Sequence, residues 1–592
     1  MRLLSRLAFS LAVVCFGLAG YDATGAGPDM NARDEATRAA KASLLLVRLE
    51  GVGMSFNAMT DGRVAGYRLT PLFTQQVDIT DSGRQVIWLL AIPGEDILKN
   101  DGGGWEKAHR FVANSRENPQ LRGAQDIYAE PNTEHKPVIG DEASNMATIA
   151  AAVKAGKPPV SPPWPYPPSF AWHLDSGHSQ LIDARKAARK GACMPRLISL
   201  DTGIHAAQVT TPQGIDLTLA KNFVEGGNIV EDPGHSGGLK NPGHGTATIA
   251  LLAGNHITVT SPPFDDYLGG APDAKVVPVR IADSVVHFWT DEMAKGIDYA
   301  SNLPKGIGNG YCDVVSISMG GVASRAWAHA VNKAYDGGVT IVAAAGNNFD
   351  DFPTRFTVYP GRFARVIAAT GATSDCKPYR TTKRKIMQGN YGPKGVMRTA
   401  IAAYTPNVPW ADFKTTDTID RDGAGTSAAT PQVAAAAMLW LQTYADKYKG
   451  GWPRVEAVRH ALFKTAEKKF PTEAVSKEYF GNGLLRAADA LKHVPAEKDL
   501  EKQPEDEVSF PFFRILLGWE EPNDGRQRMY EVEALNLALE SKTFSMLTLD
   551  KTDDGLKKFG PKTRDEFIDY LVHHPRASRD LKDFLVNRFG RK

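Results

Sequence analysis

Between Trp172 and about Leu491 the chain alternates two kinds of segment. PRLISLDTG, AKVVPVRIA, DVVSISMGG, VTIVAAAGN and RVIAATGAT are apolar or β-branched runs, and Ala-rich stretches of helical character separate them. Strands buried on both faces read as continuous apolar runs, so the alternation predicts an α/β fold: a mostly parallel central sheet with helices on both faces, three layers in all. In such a fold the groups that do chemistry collect at the carboxyl ends of the strands. No internal repeat of solenoid length interrupts the pattern.

At 592 residues the chain exceeds what one hydrophobic core serves, so further domains are expected. Its 69 basic and 67 acidic residues leave a net charge of +2, which gives no electrostatic reason to expect a nucleic acid or a membrane surface as partner. Arg2 and Arg6 precede the apolar run Leu7 to Gly20, and small residues follow. This reads as a secretory signal peptide over residues 1–25, placing the protein in a periplasm or outside the cell. The run is shorter than the ~20 residues that span a bilayer, so no stable membrane span is expected in the mature chain. Removal of the signal leaves Cys193, Cys312 and Cys376, which allow at most one disulfide. Cys193 and Cys312 each precede a strand run and are the pair if one forms; three buried thiols are the alternative.

Residues 26–135 read as a small α+β unit. RQVIWLLAIPGED, WEKAHRFVANS and DIYAEPN form strand, helix and strand, with Trp105, Ala108, Phe111 and Val112 at helical spacing. Runs around Leu44 to Val52 and Ala65 to Phe73 add strands. Gly102 to Gly104 form a turn rather than a phosphate loop, because no Lys-Ser or Lys-Thr follows. Residues 136–171 are a linker: seven of the eleven residues from Pro158 to Pro168 are proline, which favours an extended polyproline II spacer. The α/β unit occupies 172–494. Residues 495–592 combine a charged run, AEKDLEKQPEDE, read as a solvated linker, with a mainly helical tail. There Met529, Val532, Leu535 and Leu539 share one face, and Phe567, Leu571, Leu581 and Leu585 lie on either side of Pro575.

Four polar residues stand where strands end or helices begin. Asp201 ends LISLDTG, and His244 precedes an apolar helix in NPGHGTATIALLAG. Asn347 follows Gly346 in VTIVAAAGNN, and Ser427 opens GAGTSAATPQVAAAAMLWL with Pro431 in the first turn. Taken singly, each reads as a turn or cap residue. Together they supply a hydroxyl nucleophile, an imidazole base, a carboxylate to orient it and an oxyanion donor, the parts that acyl transfer from an amide requires. Their order, Asp then His then Ser, is one of three known arrangements of that geometry. With DTG, HGT, SISMGG, AAAGN, GTSAATP, WHLD and GNGLLRAADAL all present, Trp172 to Leu491 resembles the subtilisin-like serine protease family.

The resemblance implies a triad of Asp201, His244 and Ser427, with Asn347 completing the oxyanion hole. It implies a substrate strand at Ser318, Met319 and Gly320, further substrate-binding residues at Ala345 and Gly346, and Val358 at the base of the primary specificity pocket. Family members often carry glycine before Tyr-Pro; Val358 here makes the pocket shallower and favours small or medium apolar P1 residues. After HGT the family pattern is similar to His-Val-Ala-Gly, whereas this chain has Ala247, Thr248, Ile249 and Ala250, so the helix packs differently. His205, His235 and His256 lack the HGT context and read as loop or surface residues. His244 must be neutral to act as base, so activity is expected to rise with pH through roughly 6 to 7.5.

No cofactor is expected for catalysis and no metal site is assigned. Asp265-Asp266, Asp350-Asp351 and Asp417, Asp420 and Asp422 are candidates for structural calcium, but none has EF-hand spacing and solvated loops explain them equally. The unit ending in YAEPN resembles the family's inhibitory prodomain, so the chain's own N-terminal segment is an expected intramolecular inhibitor; a permanent accessory domain is the alternative. Expected partners are peptides or unfolded proteins. A catalytically silent peptide-binding homologue is the competing reading, and esterase or ligase turnover on the same residues is a third. The acidic sedolisin variant replaces the histidine and the oxyanion asparagine by carboxylates, which His244 and Asn347 contradict.

Overall fold

A computed structural model describes residues 28–55, 57, 62–80, 82–98, 102–135, 164–232, 243–285, 287–305, 310–351, 354–382, 386–413, 415–468, 472–549 and 554–590. The expected signal peptide and most of the linker lie outside the described residues. In the N-terminal unit, strands β1 (Leu45–Gly51), β2 (Tyr67–Pro71), β3 (Gln85–Pro93) and β4 (Ala124–Pro131) pair antiparallel in the order β2-β3-β1-β4. Helix α1 (Gly104–Ser115) turns Trp105, Ala108, Phe111 and Val112 inward, as their spacing predicts. A two-residue strand, β5 (Glu134–His135), follows β4.

The central sheet is built from β6 (Met194–Asp201), β7 (Lys221–Asn222), β8 (Lys275–Arg280), and, after the short strand β9 (His287–Trp289), β10 (Tyr311–Ile317), β11 (Thr340–Ala344), β12 (Ile367–Ala372) and β13 (Ala400–Tyr404). Seven of these form one sheet, in the order β13-β12-β11-β10-β6-β8-β7, and each pairing in it is parallel. This is the α/β architecture that the alternating runs predict. Buried helices pack against the sheet, among them α2 (His244–Ala253), α3 (Thr290–Ser301), α4 (Arg325–Asp336) and α5 (Thr426–Tyr444). Cys193 and Cys312 form a disulfide beside the amino ends of β6 and β10, and Cys376 is free.

The C-terminal segment is helical, with α6 (Pro511–Leu517), α7 (Gly525–Leu539), α8 (Pro561–His573) and α9 (Arg579–Phe589). Met529, Val532, Leu535, Leu539, Phe567, Leu571, Leu581 and Leu585 are all buried, and they share one hydrophobic cluster with residues of β1, β3, α3 and α4. The charged run ahead of these helices holds a buried acid: the Asp506 carboxylate accepts the Ala364 and Arg365 N–H groups at 2.6 and 2.9 Å, and burial pushes its pKa up to about 6. No described helix is long and apolar enough to cross a membrane.

The N-terminal unit docks on α3 and α4 through their first turns. A helix leaves its first N–H groups without intrahelical partners, and a carboxylate there is favoured by the helix dipole. Glu130, at the end of β4, accepts the Ser324 hydroxyl at 2.6 Å and the Arg325 and Ala326 N–H groups at 3.0 and 3.1 Å. Asn132 accepts the Asp291 N–H at 2.9 Å at the start of α3. The chain then runs as β5 antiparallel to β9, with His135 opposite Phe288.

Candidate active site

Asp201 is the last residue of β6, and His244 is the first of α2. Both are almost wholly buried. His244 Nδ1 and Asp201 Oδ1 lie 2.8 Å apart, and because an ionised carboxylate only accepts, Nδ1 is the donor. That leaves Nε2 as the nitrogen able to take a proton. The same Oδ1 accepts the Thr202 N–H at 2.8 Å, and the Trp410 indole packs edge-on against the imidazole at 5.7 Å.

Ser318 follows β10 on the strand next to β6, where Ile317 is level with Leu200, so it lies beside Asp201 in register. The Ser427 hydroxyl donates to the Ser318 carbonyl at 2.8 Å. A hydroxyl has one proton to give, so in this state Ser427 does not donate to His244; doing so requires a turn about its χ1. Pro431 is the sixth residue of α5 rather than part of its first turn. Lacking an N–H, it cannot bond the carbonyl four residues earlier, which is that of Ser427. The Ser318 hydroxyl donates to that carbonyl instead, at 3.0 Å. The two serines are thus doubly linked.

Asn347 begins a short strand just beyond β11. Its Oδ1 accepts the Thr426 N–H at 2.9 Å, which fixes the amide orientation and leaves Nδ2 as a donor. Gly425, immediately before α5, has φ +80°, and a Cβ there would come within 2.9 Å of Asn347 Nδ2. Glycine is therefore required for this approach.

Ala345 and Gly346 are each held through a main-chain group: the Ala345 carbonyl accepts the Val358 N–H at 3.0 Å, and the Gly346 N–H donates to the Thr426 side-chain Oγ1 at 3.1 Å. Val358 stands between the two glycines expected to bind substrate. A Cβ on Gly320 or on Gly346 would lie 2.5 or 3.0 Å from Val358 Cγ2, so the isopropyl group occupies the space between them. Met319 and Ser318 are buried, and Gly320 is half-buried.

The other histidines serve elsewhere: His205 faces Glu231 at 2.8 Å, His256 is on an exposed strand, and His235 lies outside the described residues. Asp266 is paired with Arg185 and Asp265 with Thr258, and no group of three potential metal-ligating side chains occurs among the described residues.

Two contributors escape a reading by motif. Asp232 Oδ2 accepts the Thr202 hydroxyl at 2.5 Å and the Gly243 N–H at 3.2 Å, tying the turn after Asp201 to the turn before His244. Thr248, one turn beyond His244, has its hydroxyl 3.1 Å from both Asp201 Oδ2 and the Gly245 carbonyl, so its single proton is shared between the carboxylate and the helix backbone. The signal for Thr248 lay in the sequence, as a hydroxyl where the family pattern has valine. A buried carboxylate that loses a donor keeps its desolvation cost, so Thr248→Val, which preserves shape, should destabilise the protein by about 1.5–3 kcal/mol in denaturant unfolding, and Thr248→Ser should recover most of it.

The Subtilase family model matches residues 197–483. Subtilisin DY from Bacillus licheniformis is 28% identical over 323 residues, covering 53% of this chain and 97% of the relative. A subtilisin from Bacillus pumilus is 28% identical over 295 residues, 49% of this chain and 92% of its own length. Subtilisin Savinase from Lederbergia lenta is 28% identical over 297 residues, 50% and 89% respectively. Residues 197–483, just under half of the chain, are thus similar in sequence to the subtilase family.

Proposed function

We propose that the protein is an exported serine endopeptidase, made as a self-inhibited precursor, in which Ser427 attacks the scissile carbonyl. His244 Nε2 takes the serine proton and later passes it to the leaving amine, while Asp201 holds the imidazole with Nδ1 protonated. The Asn347 Nδ2 group and the Ser427 backbone N–H stabilise the oxyanion. The observation that carries this reading is the buried Asp201–His244 hydrogen bond at 2.8 Å, beside a helix start where Asn347 is oriented by the residue preceding Ser427. The Ser427 bond to Ser318 favours a second reading, a silent peptide-binding homologue.

A serine-directed fluorophosphonate separates them. Processed wild type should be labelled and should cleave casein, and Ser427→Ala should do neither; a folded wild type that is neither labelled nor self-cleaved refutes the protease. In subtilisin, loss of the oxyanion asparagine lowers kcat about 100- to 1,000-fold, and Asn347→Ala is expected to rank likewise, with KM little changed.

The pocket reading rests on Val358. Val358→Gly should raise kcat/KM for P1 Phe or Tyr relative to P1 Ala by about 10- to 100-fold in a peptide series, since a few methylenes of pocket depth are worth that much. Equal ratios in both forms would remove Val358 from the pocket.

Self-inhibition is supported by β5. Glu134 and His135 occupy the pairing edge of β9, where an extended peptide would otherwise add as a strand. The His135 ring stacks against both Phe288 and Trp327 at 4.7 and 4.8 Å, its Nε2 bonds Thr290 Oγ1 at 3.0 Å, and the Val322 N–H donates to its Nδ1. Burial pushes its pKa down to about 3, with Glu134 opposing. Undocked, the ring titrates near 6.5, so docking is fully stabilised above that pH and weakens as pH falls toward 3, by up to about 1.4 kcal/mol per unit. In Ser427→Ala, hydrogen-exchange protection of the Phe288 segment, corrected for intrinsic rates, should drop between pH 7.5 and 5. His135→Phe, which stacks without titrating, should abolish that drop.

A further inference from the structure

The C-terminal helices also hold the N-terminal unit. Helix α7 lies along β4, the edge strand of the N-terminal sheet. Gly525, its first residue, donates its N–H to Asp126 Oδ1 at 2.6 Å and approaches the strand so closely that a Cβ would stand 2.2 Å from the Ile127 carbonyl oxygen. Glu533, fully buried on the same helix, meets His109 of α1 at 3.1 Å, and its two oxygens also accept the Ser578 N–H and hydroxyl at 2.5 and 2.9 Å. Tyr530 stacks on the His109 ring at 5.1 Å, and Phe584 of α9 stacks on Tyr530 at 4.6 Å. The Arg579 N–H at the start of α9 donates to Glu106 of α1 at 2.8 Å.

The same helix is anchored on the other side. The Asn536 amide makes two bonds to the Ala323 backbone, N–H to Oδ1 and Nδ2 to the carbonyl, each 3.0 Å, next to the Ser324 turn that Glu130 caps. Arg325 then lies over the Tyr128 ring of β4 at 4.5 Å. Apolar residues of all three parts merge in one cluster. An element needed only to cover an apolar patch of the central unit would not bury an ionisable pair and a stacked ring against a segment due to be shed, because those groups would be left unpaired or exposed on its departure.

We propose that the C-terminal helices are a clamp whose partner is the chain's own N-terminal unit after the backbone between them has been cut, so that the mature protein is a tight two-chain complex and not a shortened monomer. The docking face is α1 and β4. Activation then frees the edge of β9 by lifting Glu134 and His135, while residues 45–131 stay bound. The proposal rests on the reading that the chain is a self-inhibited precursor, with its cut in the linker over residues 136–171, but its test does not depend on self-cleavage.

A recognition site for an exogenous protease is inserted between residues 148 and 149 of the full chain carrying Ser427→Ala, and the cut protein is passed over size exclusion at about 0.1 µM. The two fragments should co-elute. Gly525→Val, which drives a side chain into the β4 backbone at Ile127, should weaken retention at least 100-fold. His109→Phe, which keeps the stack on Tyr530 and loses the bond to Glu533, should weaken it about 10- to 100-fold. Separation of the fragments with the clamp intact, or undiminished retention in both variants, overturns the proposal. Intact mass of the wild-type chain reports independently: absence of any cut in the linker over residues 136–171 removes the processing reading while co-elution of the engineered fragments still upholds the clamp.

Discussion

Parallel strands all end at the same edge of their sheet, and the site depends on that constraint. β6 delivers Asp201, β10 delivers Ser318, and β11 delivers Asn347 to one edge, where the helices that return across the sheet begin with His244 and Thr426-Ser427. Residues far apart in sequence therefore meet without any special folding of the loops. What the loops add is precision. Asp232 ties two of them together, and the Thr426 N–H sets which way the Asn347 amide faces.

The strand runs and the polar residues that end them were legible because period and position carry the information. The parallel sheet, the inward face of α1 and the buried faces of the C-terminal helices all follow from spacing. Other features depend on contacts that spacing does not encode. Asp506 sits in a run that reads as solvated charge, yet it is buried because two N–H groups near Arg365 face it. Pro431 lies deeper in its helix than its tolerance suggests, and the compensation comes from a serine hydroxyl on another strand. Thr248 was visible as a departure from the family pattern, but its effect on Asp201 required knowing that one helical turn brings its hydroxyl to the carboxylate.

By capping α3 and α4 through Asn132 and Glu130, the N-terminal unit satisfies backbone donors at the starts of both helices, and it then runs on as β5 along β9. The grip on helix ends and the pairing with β9 are separate interactions on separate elements, so one can be broken while the other persists.

The turn from Ala323 to Ala326 is read from two sides, by Glu130, 194 residues from Ser324, and by Asn536, 213 residues from Ala323. A change in the shape of that turn alters the fit of both at once, and neither can be repaired by a substitution at the other. Sequence drift at these positions is consequently confined to joint steps: among close relatives that keep all three segments, positions 130, 324 and 536 should vary together or not at all.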